Sequence, residues 1–300
     1  MRVKKPIDIK PYLFLVPSFV MIIAFLYYPL SVSIGYSFTD WTGLGPLEFA
    51  GVENYIALFH SEHFWLSVRL TFVWVIMSVV ILPMTGLFLG VIVEYIAKTK
   101  LVAGITRTIL FMPMMMSMVS VGLLWTLIYN PLLGLLNNGL SMIGLMDMGN
   151  PMNWLGNVDL AIYFAFVPAI WQWSGFGMVL ICAAMMNIPS DVLEAAEVDG
   201  ASKFKQFRSV VFPLLLPTLM VAATLNMIGG FRAFDLIRVM TAGGPGNATR
   251  VTSIFIFNTA FVENRLGLAS AASMILFVLI VFFSIIFIKI MNKANDYTGR

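Results

Sequence analysis

The sequence predicts an all-α polytopic membrane protein with six transmembrane helices and both termini in the cytoplasm. Three observations carry this prediction. The 300-residue chain is 60% hydrophobic and only 11% charged, with a mean hydropathy of +0.91, whereas a soluble domain carries about 25% charged residues. Six apolar runs are long enough to be membrane helices, for which about 18 consecutive residues suffice. All nine lysines fall on one side of the topology those runs define, as the positive-inside rule requires.

The first run spans Tyr12 to Ile34 and follows Arg2, Lys4 and Lys5. A basic start also suits a signal peptide. This run, however, is longer than the usual signal core, and no clear A-x-A cleavage site follows it. The next runs are Leu66 to Val93, Ile105 to Tyr129, Leu160 to Met186, Leu214 to Phe231 and Leu268 to Ile290. Prolines crowd the start of the fifth and glycines its end. Pro17, Pro29, Pro83, Pro113 and Pro168 fall inside spans. Kinked helices are therefore expected, with neighbours satisfying the freed backbone groups. The inside segments are the N-terminal tail, the link around Lys98 to Arg107, the stretch Asn187 to Phe212, and the C-terminal tail. They hold or adjoin Lys4, Lys5, Lys10, Lys98, Lys100, Lys203, Lys205, Lys289 and Lys293. The outside loops run from Gly35 to Trp65, Asn130 to Asp159 and Arg232 to Gly267. Turn residues are dense in them, as in Gly243-Gly-Pro-Gly246. None is large enough for a separate soluble domain, so residues 1–300 read as one transmembrane domain.

Several chemistries are missing. The net charge of +3 is modest, and the basic residues are too dispersed for a nucleic-acid surface. Cys182 is the lone cysteine, so it forms no intrachain disulfide and reads as a small core hydrophobe. There is no G-x-x-x-x-G-K-[ST] phosphate loop, so the chain does not hydrolyse ATP by that route. There is no H-E-x-x-H or Cys/His cluster, and nothing marks the chain as an enzyme or a metal protein. His60 and His63 share an i, i+3 spacing without a third ligand, and read as a solvated loop pair. Proton-driven transporters place an acid within the membrane, but Glu94, Asp159 and Asp235 all lie near span ends, as do Arg69 and Arg232. Energy for uphill transport would have to come from a partner.

The longest inside segment, 188–213, reads as two short helices. Ser190 or Asp191 suits the first N-cap, and Glu194 and Glu197 suit its early turns. Gly200 suits the positive φ that ends it. The second places Phe204, Phe207 and Val211 on one face, and Pro213 then opens the fifth span. Such a bend beneath a bundle is a protrusion a cytosolic partner can grip.

This segment resembles the EAA loop of bacterial ABC importer permeases: E-A-A, three residues, G, nine residues, then I-x-L-P. Here Glu194-Ala195-Ala196 precedes Gly200 and then Val210-Val211-Phe212-Pro213, with Val for Ile and Phe for Leu. Other stretches are similar to the maltose and glycerol-phosphate branch, which imports carbohydrates. They are Gly51-Val-Glu-Asn-Tyr55, Phe234-Asp-Leu-Ile237 with Thr241-Ala-Gly-Gly-Pro245, and Gly267-Leu-Ala-Ser-Ala271.

The resemblance implies a multi-pass permease subunit in the bacterial plasma (inner) membrane. It implies that Glu194, Ala195, Ala196, Asp199, Gly200 and Pro213 belong to a coupling loop that docks into an ATPase subunit. The implied partners are a second homologous permease chain, forming a heterodimer, two ATP-binding cassette ATPases, an extracytoplasmic solute-binding protein and a carbohydrate. This chain would hold no cofactor, with ATP and Mg on the ATPases. Solute would cross by alternating access.

Transporter substrate sites tend to lie near the bilayer midplane. The fourth span offers Trp171, Gln172, Trp173 and Phe176 there, and the fifth offers Asn226. Aromatic faces suit the C–H surfaces of sugars, and amides suit their hydroxyls. The competing reading makes Gln172 and Asn226 interhelical glue and puts the tryptophans at the outer interface. An ABC permease for a polyamine or amino acid is the alternative within transport. A six-span channel or an integral membrane enzyme is the rival from another class, but no filter-like loop or catalytic cluster supports either.

Overall fold

The computed structural model describes residues 10–96 and 99–297. The N-terminal tail with Lys4 and Lys5, Lys98, and the last three residues lie outside the described residues. Among the described residues the regular structure is helical, apart from one isolated antiparallel bridge between Thr39 and Phe49. Among the described residues five helices are long and apolar enough to cross a membrane: Phe14–Ser37, Glu62–Tyr95, Ala161–Met186, Lys203–Phe231 and Leu266–Met291. Where the sequence predicts the third span stands a pair of apolar helices, Lys100–Met115 and Met118–Ile128, bent by 97°.

The chain forms two compact units. The first comprises residues 1–61 and 256–275. It contains α1 (Lys10–Ile22), α2 (Tyr28–Ser37) and α3 (Glu53–Phe59). A π turn at Ile23–Tyr27 joins α1 to α2, with the Tyr28 N–H bonded to the Ile23 carbonyl. Pro29 follows directly. Proline lacks an N–H and clashes with the carbonyl four residues back, and the wider turn relieves both. Phe14, Phe25 and Tyr28 are exposed, as a lipid-facing helix requires. The end of this span is clamped by Asn54, whose Nδ2 donates to the carbonyls of Ser37 at 3.1 Å and Thr39 at 2.8 Å. The Tyr55 hydroxyl donates to Ser37 Oγ at 2.8 Å. The Gly267 N–H donates to the Trp41 carbonyl at 2.9 Å. A Cβ on Gly267 would lie 1.9 Å from the Thr39 oxygen. Two of the resembling stretches, Gly51 to Tyr55 and Gly267 to Ala271, thus hold this clamp.

The second unit comprises residues 62–255 and 276–300. Its frame is α4 (Glu62–Ile96), α8 (Ala161–Met186) and α11 (Phe212–Phe231). The helices α4 and α8 touch backbone to backbone, since a Cβ on Gly86 would lie 2.7 Å from the Cα of Gly177. Small residues permit such approach where lipid offers no hydrophobic drive for association. Both helices run through Pro83 and Pro168 without interruption. Their core holds Trp74, Leu82, Ala165, Phe166 and Ala169, with Trp74 edge-on to Phe166 at 5.0 Å between centroids. The last helix, α14 (Leu266–Tyr297), brings Phe283 to 5.3 Å from Phe72 and 5.8 Å from Phe231.

The third span departs from the single helix expected over Ile105 to Tyr129. Helix α5 (Lys100–Phe111) passes into a 3₁₀ turn at Met112–Met115, and α6 (Met118–Ile128) starts afresh. Pro113 lies in that turn. Met116 is extended, with φ −79° and ψ 146°. Ser117 then caps α6 by accepting from the Ser120 N–H at 3.2 Å.

The extracytoplasmic loops expected from the sequence contain built structure. In the second, α7 (Leu135–Met142) buries Asn137 completely. Its Nδ2 donates to the carbonyls of Pro131 and Met152, both at 2.9 Å, and its oxygen accepts from Trp154 Nε1 at 2.7 Å. The third carries α12 (Asp235–Met240) and α13 (Thr252–Phe261). Between them Thr249 Oγ1 donates to the Gly244 carbonyl and pairs with Thr241 Oγ1, both at 2.7 Å. The Phe234 to Ile237 stretch buries Leu236 and Ile237 in the core.

Candidate functional site

Two places draw together residues singled out in the sequence. The first is a cavity of about 140 Å³ among α4, α8, α11 and α6. Trp74 and Ser78 of α4, Gln172, Trp173 and Phe176 of α8, and Asn226 of α11 line it. Four of the five expected substrate residues therefore share one recess. Trp171 does not line it. One residue before Gln172, it points about 100° away from that side chain around the helix. There it lies half-exposed, 6.2 Å from Trp125 between ring centroids.

Gln172 is 2% exposed. Its Nε2 donates to the Met116 carbonyl at 2.9 Å, in the break of the third span. Its Oε1 is buried and, among the described residues, has no hydrogen-bond partner. The glue reading is thus correct for one end of this amide. Nearby, a Cβ on Gly175 would lie 2.1 Å from the Leu110 carbonyl oxygen, so α8 admits the backbone of the broken span there. Sequence reasoning missed Met116, whose part is played by a backbone carbonyl.

The second place is the 188–213 loop. Helix α9 (Ser190–Val198) carries Glu194, Ala195 and Ala196. It starts after Pro189 without a side-chain cap. Ser190 instead turns its hydroxyl to Asp191 at 3.3 Å, so neither caps the helix as expected. The C-terminus closes in a Schellman motif. The Ala201 N–H reaches the Ala196 carbonyl and the Gly200 N–H the Glu197 carbonyl, both at 3.0 Å. Gly200 has φ +73°, as expected, and Asp199 is the C-cap.

The second helix differs from expectation. Its α10 turn (Lys203–Gln206) runs without a break through a π turn, Phe207–Val211, into α11, giving one helix from Lys203 to Phe231. In the π turn the Phe212 N–H bonds to the Phe207 carbonyl, and Pro213 follows, the arrangement also seen before Pro29. Pro213 therefore lies within a membrane-length helix. The π turn shifts the register, so Phe207 and Val211 pack inward while Phe204 is 73% exposed. Gln206 locks the two helices, its Nε2 donating to the Leu193 carbonyl at 2.8 Å, and Lys203 pairs with Glu197. The outer face presents Glu194 and Ala195, with Val198 88% exposed.

His60 Nδ1 lies 2.8 Å from the Ile56 carbonyl. Among the described residues, no group of three His, Cys, Asp or Glu is placed to hold a metal ion.

Comparison with known proteins identifies the scaffold. The chain is 33% identical to a trehalose/maltose transport system permease protein of Thermococcus litoralis, covering 95% of this chain and 94% of that one. It is 32% identical to a probable ABC transporter permease protein of Bacillus subtilis, covering 95% and 97%. The fold matches a subunit of a bacterial ABC transporter involved in the import of the acidic polysaccharide alginate. That match has a TM-score of 0.77 and 24% identity, and covers 98% of this chain and 97% of the other. Residues 86–296 match the model of one family, and this chain belongs to it: the binding-protein-dependent transport system inner membrane components.

Proposed function

We propose that the chain is the permease subunit of an ATP-driven importer that takes a carbohydrate from a solute-binding protein and passes it inward by alternating access. One observation carries the carbohydrate reading: two amides, Gln172 and Asn226, and two aromatic rings, Trp173 and Phe176, line the same recess. That pairing suits the hydroxyls and the apolar faces of a sugar. The trehalose/maltose permease among the relatives supports the same class. Ligand pockets ordinarily run to about 300–1,000 Å³, so a recess of about 140 Å³ is too small to hold an oligosaccharide by itself. A second permease chain completes it in this reading.

In this reading the energy comes from two ATPase subunits, one of them docked on α9 and the other on the second permease chain. Ala195 and Ala196 permit close approach, Glu194 pairs with a basic partner residue, and Val198 and Phe204 offer exposed apolar contact. The test is reconstitution of the co-purified complex in vesicles with its binding protein. ATP-dependent accumulation of maltose or trehalose is expected. Uptake of neither sugar above that of empty vesicles contradicts the carbohydrate reading. Uptake without ATP contradicts the importer reading in favour of a channel.

A further inference from the structure

We propose that Gln172 is a positioning residue that ties occupancy of the cavity to the bend of the third span. The inference rests on the reading of the cavity as the substrate recess, and it concerns a link that the reading does not contain.

The break between α5 and α6 leaves backbone groups without helical partners. Within the membrane such groups must be satisfied by the protein itself. The Met116 N–H is bonded to the Pro113 carbonyl at 3.1 Å, and the Ser117 carbonyl accepts from the Val121 N–H at 3.0 Å. The Met116 carbonyl is held from outside the span, by Gln172 Nε2 at 2.9 Å. Three residues along α8, the missing side chain of Gly175 lets the backbone at Leu110 and Phe111 come close. Thus α8 holds the broken span at two successive points, one a steric fit and the other a hydrogen bond.

The other end of the same amide is unfinished. Gln172 Oε1 is buried with no partner among the described residues, in a residue that lines the cavity. A buried acceptor without a donor leaves the loss of its hydration uncompensated. A hydroxyl-bearing ligand supplies the missing donor once it enters the cavity and reaches this wall. The two ends of an amide are electronically joined: an oxygen that accepts a hydrogen bond makes the N–H of the same group a stronger donor. Sugar at Oε1 therefore tightens the grip of Nε2 on Met116, and the bend stiffens when the cavity fills. The link is reciprocal, because two sites joined by a coupling free energy each respond to the other. Straightening of the span at Met116 takes away the partner of Nε2 and weakens the hold on the sugar.

Two variants separate this role from simple packing. Gln172→Leu removes both ends of the amide at similar volume. Gln172→Glu keeps the shape but retains a donor only while its carboxyl is protonated. The measurements are amide hydrogen exchange across residues 112–122 and the mobility of a spin label at Val119→Cys. Both are made on the complete complex in lipid nanodiscs, with and without maltose or trehalose, whichever the wild-type vesicles take up.

The wild type is expected to exchange several-fold more slowly at the break when sugar is bound. Gln172→Leu is expected to exchange about tenfold faster and to lose the response to sugar. Gln172→Glu is expected to match the wild type at low pH and the leucine variant at high pH, with a step that neither of the others shows. Unchanged exchange and mobility in Gln172→Leu overturn the proposal. So does an absent pH step in Gln172→Glu, or a wild type that transports sugar without slowing exchange at the break. Failure of the wild type to take up either sugar counts against the carbohydrate reading instead. The two variants in the absence of sugar then still decide whether Gln172 holds the bend.

Discussion

Single residues carry distinct loads in this chain, and their contacts set what each substitution does. Asn226 lines the cavity beside Gln172. Asn226→Ala is therefore expected to leave assembly intact and to lower uptake. One lost hydrogen bond, about 1 kcal/mol net, corresponds to a several-fold drop in transport, read by vesicle uptake beside a gel-filtration check of the complex. Gly267 carries a structural load. A methyl group there meets the Thr39 carbonyl oxygen at 1.9 Å, and overpacking of this kind costs about 1–3 kcal/mol. Gly267→Ala is expected to lower the melting temperature of the complex by several degrees while ligand binding by the binding protein is untouched. An unchanged melting temperature would mean that the clamp of Asn54, Trp41 and Gly267 yields freely.

Elements were legible in the sequence to the extent that their physics is local. The long spans announce themselves because lipid demands an unbroken apolar run, and Gly200 announces the end of α9 because its φ of +73° favours glycine. The break after Met115 was hidden because its residues are as apolar as the helices they interrupt. Only Pro113 and the capping Ser117 marked it. The outward turn of Phe204 was hidden because helical spacing assumes 3.6 residues per turn, and the π turn at Phe207–Val211 breaks that count. Of the five residues singled out in the sequence, four line the cavity and Trp171 does not, because neighbours in sequence diverge around the helix. The partner of Gln172 was beyond sequence reasoning altogether, since a carbonyl carries no side-chain signature. The π turn also yields a prediction for the element. Pro213→Ala restores an N–H and removes the clash that the wider turn relieves. The turn is then expected to close to α geometry, shifting Phe204 and Lys203 relative to α9 and breaking the Gln206–Leu193 bond. A spin label at Ser209→Cys should report the shift. An unchanged label spectrum would place the cause of the π turn elsewhere.

At the scale of the whole molecule, the chain belongs to a family of inner membrane components, and its composition suits lipid as the main solvent. From the lysine pattern we infer an orientation, with the 188–213 loop facing the cytoplasm. Ser202→Cys is expected to react with an impermeant thiol reagent only from the inner face. Reaction in intact cells from outside would reverse the topology. The central claim is that this loop transmits the energy of ATP. Its most direct measurement is ATP-driven uptake, alongside retention of ATPase subunits, by complexes carrying Gly200→Val or Glu194→Lys. A β-branched residue tolerates φ +73° poorly, so Gly200→Val misdirects α10, and Glu194→Lys repels a basic partner. The account predicts that both variants insert and pair normally, lose their ATPases on purification and accumulate no sugar, while the binding protein keeps its ligand. Full uptake with tightly held ATPase in both variants would contradict it.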